Sequence, residues 1–244
     1  MNEMKKIFAN VFFWAGLILL TILIFASGVP YMKTLLRVGY SAEGIGWAET
    51  FRYCTINENA LLFVPICVPI AAGAYAETEL RTRYALFSCI RVGKRSYCVE
   101  KIIECALSGG MMVCVSEVLV LFIVYVGLQE ISMQMEGGGT RVAVMILLSL
   151  IRGFLNGAFW ALAGSVAAVL TRNQYLACTI PFVMYDVLTL FQSRFYRELY
   201  FLSPRYWAAP VHYGNVFCII VLSGLCAICA LSLVLAVKRR LDHA

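Results

Sequence analysis

Glu117 and Arg152 stand deep within apolar runs. An ionised side chain there costs roughly 2.5–3.5 kcal/mol on insertion scales, so it is rare and comes paired or serves a function. Arg152 lies 11 residues beyond Arg141, and Glu117 lies 11 residues before Leu128. If the two runs form neighbouring antiparallel helices, a rise of about 1.5 Å per residue brings both groups to similar depth. The spacing therefore predicts an ion pair between Arg152 and Glu117, with Asp186 as the alternative partner. Ser149, Arg152 and Asn156 recur at helical spacing and form a polar stripe expected to face the bundle interior. Such a stripe either locks helices together or lines a path for a polar substrate.

The other concentration of charge is "ETELRTRYALFSCIRVGKRSYCVEK", residues 77–101, which joins two apolar segments. Leu80, Tyr84, Phe87 and Ile90 fall at i, i+4, i+7 and i+10, one helical face. Glu77 and Glu79 sit at its start, where negative charge suits the helix dipole. Gly93 is placed to stop the helix, with Lys94 and Arg95 following. This reads as a short amphipathic helix beside a membrane. Basic residues suit anionic lipid, but Glu77 and Glu79 do not, and a protein partner accounts for both signs. Glu77, Glu79, Arg83 and Arg91 are expected to face that partner, with Leu80, Tyr84 and Phe87 turned to protein or membrane.

Other constellations lead nowhere. "GKRS" lacks the upstream glycine and the Ser or Thr after Lys94 that a phosphate loop requires. "LSGGM", residues 107–111, imitates an ATPase signature but lies in an apolar run, where Ser108, Gly109 and Gly110 suit close helix packing. Cys226 and Cys229 form a C-x-x-C inside another apolar run, without the surroundings of a redox site. His212 and His243 are too far apart for a metal site or a hydrolytic couple. No catalytic residue, metal or cofactor is expected, and no nucleic acid.

The elements that would hold these residues are membrane helices. The 244 residues are 61% hydrophobic and 14% charged, against about a quarter charged in soluble domains. Six runs are long enough to cross a bilayer: about 8–28, 59–76, 102–128, 142–171, 175–192 and 213–237. The first is longer than a signal-peptide core and reads as an uncleaved helix. The whole chain, 1–244, is thus expected to be one all-α polytopic domain. Pro65 and Pro69 predict a kink in the second run, and "TRNQ" a tight turn after the fourth. Twelve Lys and Arg fall on the side of the 77–101 stretch and both termini, seven on the other, which makes the first side cytoplasmic. The aromatic stretch 191–213 suits an interfacial or re-entrant segment. Gly153 and Gly157 form a G-x-x-x-G, with Gly164 two turns on; these predict close packing within the chain or between copies.

In order and spacing the chain resembles the membrane subunit of type-2 ABC exporters, a family of six-span permeases. The resemblance runs over nearly the whole length. Glu77 or Glu79 stands where the family has a Glu after its second span, and the helix Leu80–Arg91 stands in place of its coupling helix. "GKRS" resembles the basic corner, and Lys101 the lysine opening the third span; Val92 and Gly93 occupy positions where proline is common. "TRNQYLACTIPFVMY", "YFLSPRYWAAP" and "VKRRLDHA" resemble the family's later turns and ending. The resemblance implies pairing with a second permease subunit and with a cytosolic ABC ATPase gripping Glu77, Glu79, Arg83, Phe87 and Arg91. It implies location in a bacterial cell membrane and export of peptide, antimicrobial or drug-like molecules. A stand-alone secondary transporter or channel, or a non-transporting immunity or scaffold protein, is the alternative expectation.

Overall fold

The computed structural model describes residues 10–38, 46–82, 84–128 and 139–242. Arg83, Lys5, Lys6 and residues 129–138 lie outside them. Among the described residues all regular structure is helical: α1 (Val11–Val38), α2 (Trp47–Ile56), α3 (Glu58–Arg81), α4 (Tyr84–Val92), α5 (Lys94–Leu128), α6 (Gly139–Thr171), α7 (Leu176–Phe195), a 3₁₀ turn (Tyr200–Leu202), α8 (Arg205–Ala208) and α9 (Asn215–Asp242). Five helices, α1, α5, α6, α7 and α9, are long and apolar enough to cross a membrane, and α2 with α3 makes a sixth if that bent pair counts as one span. This is the build of a multi-pass membrane protein. Its outer faces are greasy: Phe12, Ile18, Phe122, Leu170 and Leu235 are all exposed.

The run 59–76 is less simple than its sequence suggests. It belongs to α3, which meets α2 at a 57° bend. Asn57 makes the corner. Its Oδ1 accepts from the Asn59 amide at 3.0 Å, capping α3, and its amide side chain donates to the Ser27 carbonyl at 3.3 Å. The mixed polarity of residues 47–56 hides α2 from a search for apolar runs, yet Phe51, Cys54 and Thr55 are buried.

The 77–101 stretch also departs from expectation. A single helix over Leu80–Arg91 does not form. α3 continues to Arg81, and α4 begins anew at Tyr84. Gly93 stops α4 as its sequence indicates, at φ +92°, with its amide donating to the Cys89 carbonyl at 2.9 Å. The inner face of α4 is Ala85 and Cys89, not the Tyr84–Phe87 stripe. α5 starts at Lys94, eight residues ahead of the apolar run; Lys94 and Arg95 are exposed there, while Tyr97, Cys98 and Lys101 are buried.

α6 is the central helix, packed on α3, α5, α7 and α9. Its contact with α5 follows a four-residue step on both helices. Ser165 donates to the Cys105 thiol at 3.3 Å. A Cβ on Gly109 would fall 2.4 Å from Ala161 Cβ, one on Gly157 would fall 2.7 Å from Val113, and one on Gly153 would meet the Glu117 carboxylate at 2.4 Å. Small residues at 153, 157, 161 and 165 thus form one groove for α5. Helices approach this closely only where side chains nearly vanish. Gly164 lies off that groove, against the Ala177 carbonyl and Pro69.

A methyl group at Gly157 would stand 2.3 Å from the Gly109 carbonyl oxygen. Gly157→Ala is therefore expected to destabilise the fold by roughly 1–3 kcal/mol, as overpacking does. Gly224→Ala, with nothing within 4 Å of the added carbon, is expected to be neutral or mildly stabilising. Thermal unfolding of the two variants in detergent checks the contrast; equal melting points would contradict the groove.

Candidate functional site

Charge is buried in two places. The first lies where α3 ends, α5 begins and α9 ends. Glu77, 2% exposed, receives both terminal nitrogens of Arg240, one of them at 3.0 Å. Arg240 also donates to the Val169 carbonyl of α6 at 3.4 Å. One turn away from this pair, Lys101 donates to Glu79 at 2.8 Å and to Glu104. The Tyr97 hydroxyl donates to the other Glu79 oxygen at 3.1 Å. Three carboxylates, two cations and a phenol tie α3, α5, α6 and α9 into one junction. Burying ions is costly unless each is paired and further hydrogen-bonded, and here each has such a partner.

This placement corrects the expectation for Glu77 and Glu79. They do not point outward to a partner; they hold the junction together. The residues that do face out are on α4: Phe87 is 72% exposed and Ile90 83%, with Tyr84 and Arg91 beside them. Glu104, Tyr97 and Arg240 escaped the sequence reading. Arg240 carried a signal, since it belongs to the basic ending "KRR", but that was readable only as topology.

The second place is about 25 Å away along α6, taking 17 residues from Val169 back to Arg152 at about 1.5 Å each. Arg152 is 5% exposed and Glu117 6%. They line one small cavity together with Ser149, Gly153 and Asn156. The expected ion pair is not there: among the described residues no carboxylate lies within salt-bridge range of Arg152. Arg152 donates instead to Asn215 of α9 at 2.6 Å and to Ser149 at 3.1 Å. Among the described residues Glu117 Oε2 and Arg152 Nε have no hydrogen-bond partner. The depth estimate was sound, because Glu117 lies level with Gly153. The azimuth was not. One residue along a helix is a turn of about 100°, so Gly153 meets α5 while Arg152 points toward α9. Asp186, half-buried on α7, does not partner Arg152 either.

Asn156 stays on the stripe and accepts from the buried Trp160 indole at 3.0 Å. Ser149 meets Thr55 of α2 at 3.4 Å. Two larger cavities continue outward. One of ≈ 640 Å³ shares Ser149 and Arg152 with the first. One of ≈ 1300 Å³ shares Arg52 and Pro210 with the second, and is also lined by Glu49, Glu58 and Arg205. Neighbouring cavities thus share wall residues from the α2 corner to the cavity that Glu117 lines. Among the described residues no group of acidic, histidine or cysteine side chains is arranged for a metal ion.

No family model, curated protein or solved structure matches the chain. The chemistry of the site is therefore read from its own residues. The junction resists separation of its helices, since parting Glu77 from Arg240 strands a buried carboxylate. The Glu117–Arg152 region is the opposite: charged groups with bonding capacity left over, beside open space.

Two outcomes follow. Arg240→Met should lower stability by about 3 kcal/mol, the low end for breaking a buried pair because the Arg240 side chain is 19% exposed. Adding Glu77→Leu should recover most of that loss; a double variant no better than the single would show that the pair is not what holds α9. Glu117→Gln, which replaces a buried carboxyl group that has no ion-pair partner among the described residues by a neutral amide of the same shape, should leave the melting temperature unchanged or raise it. A drop of several degrees would mean that Glu117 is ion-paired after all.

Proposed function

We propose that the chain is the membrane-spanning subunit of an ATP-driven exporter of the type-2 ABC kind. It works with a cytosolic ATPase subunit and a second membrane subunit, and moves amphipathic peptides, antimicrobials or drug-like molecules across a bacterial cell membrane. The observation that carries this reading is α4. It is a nine-residue helix between two long apolar helices, it presents Tyr84, Phe87 and Ile90 outward, and it is seated by Ala85 beside the buried junction. A force on α4 passes into α3 and α5 at once, and through Glu77–Arg240 into α9. The excess of Lys and Arg at this end supports a cytoplasmic position for α4 and for both termini. Hydrolysis of ATP belongs to the partner chain.

A second reading is favoured by Glu117. A buried carboxyl group with an unpartnered oxygen, lining a cavity, suits a carrier coupled to protons and working alone. Transport by the reconstituted chain driven by a pH gradient, with no ATP or partner, would favour that reading.

Affinity purification from native membranes is expected to bring down an ABC ATPase whose hydrolysis rises with this chain present. Phe87→Asp combined with Ile90→Asp should abolish both capture and stimulation. Membrane insertion and elution volume should not change, because these side chains touch little of their own chain. Undiminished capture by the double variant would remove α4 as the coupling surface.

A further inference from the structure

The middle cavity, ≈ 640 Å³, has an unbalanced wall. Its polar lining is Arg52, Arg152, Ser149 and Asn215. Among the described residues no carboxylate lines it, whereas the outer cavity balances Arg52 and Arg205 with Glu49 and Glu58. Glu49 reaches Arg52 at 3.4 Å from outside this space, and Glu117 shares only the inner cavity with Arg152 and makes no ion pair with it. The hydrogen bonds of Arg152 go to neutral groups, an amide and a hydroxyl. They satisfy two of its donors and leave its charge in place. A guanidinium buried in this way calls for an anion. The rest of the wall includes Phe51, Met145 and Pro210, an apolar surface beside the two cations.

We infer that this cavity binds an amphiphile headed by a single oxyanion, carboxylate or phosphate, with the headgroup between Arg52 and Arg152 and the apolar part against Phe51, Met145 and Pro210. Each guanidinium offers the anion donors in a planar fork suited to an oxyanion. Asn215 and Ser149 hold the Arg152 fork in place. The site does not depend on the exporter reading, because binding is a property of this chain alone.

The test uses the full chain, purified in an uncharged maltoside detergent at low ionic strength, where screening is weakest. Radiolabelled decanoate is the probe, measured by scintillation proximity, with decanol, acetate and decyl phosphate as competitors. Decanoate should bind saturably, decyl phosphate should displace it, and decanol and acetate should displace it poorly. Displacement by decanol as effective as by decanoate would overturn the anion; displacement by acetate as effective would overturn the amphiphile. Failure of decyl phosphate to compete would confine the headgroup to carboxylates and overturn the shared oxyanion chemistry. Asn215→Asp is close to isosteric and sets a carboxylate against Arg152, supplying internally what the ligand brings. Arg52→Gln removes the half-exposed second cation, whose loss the fold tolerates. Each should weaken decanoate binding roughly tenfold or more, the scale of one charge-assisted hydrogen bond. If either variant, eluting and melting as the parent does, binds decanoate with unchanged affinity, the signal is partition into the detergent belt and the site is wrong.

Discussion

α5 and α6 touch backbone to backbone at Gly109 and Gly157, and the position of nearly every polar group follows from that contact. At this spacing the two helices have one register, with Cys105 facing Ser165, Gly109 facing Ala161, Val113 facing Gly157 and Glu117 facing Gly153. Shifting the register by one residue would drive side chains into the opposing backbone. The register seats Glu117 on a glycine, which has room for a carboxylate but nothing to bond it. It also turns Arg152 away from α5 toward Asn215.

The two charged regions settle the cost of burial in different ways. At the α3–α5–α9 junction, acids and bases alternate and a tyrosine supplies a further donor, so the ions there are solvated by protein. At Arg152 the hydrogen-bond partners are neutral, and Glu117 lines the same inner cavity without an ion pair to it. The first arrangement is rigid because separating its members is unfavourable. The second keeps unused bonding capacity beside open space, which is where a ligand or an ion gains most by entering. A mechanical junction at one end and a receptive region toward the other is a division that suits a transporter.

Much of the fold was legible because hydrophobic length is a strong signal in a membrane protein. The long apolar runs each fall largely within one helix, although α1 continues to Val38 and α5 begins early at Lys94, and the stop at Gly93 and the turn after Thr171 lie where the sequence indicates. At that turn Arg172 adopts a positive φ of 56° and the Asn173 amide donates back to the Ala168 carbonyl at 3.3 Å. α2 was not legible, because its ten residues mix Glu49 and Arg52 with the aromatics it buries. The candidate site was half legible. Its depth could be computed from residue counts, but which side of a helix faces which neighbour depends on small residues on the partner helix. Asn215 gave almost no warning, being a polar residue at the edge of an apolar run. Arg240 was misread for a related reason: a basic residue at the end of a membrane helix serves topology and packing alike, and composition does not separate the two.

The pairing of Glu77 with Arg240 reaches into biosynthesis. The two residues are 163 positions apart, and at about 5–20 residues per second the ribosome needs roughly ten to thirty seconds to get from one to the other. During that interval α3 carries a carboxylate whose counter-ion has not been made. Helices that enter the membrane early stay without this contact until α9 follows. A product that stops short of α9 leaves the Glu77 carboxylate without this cation.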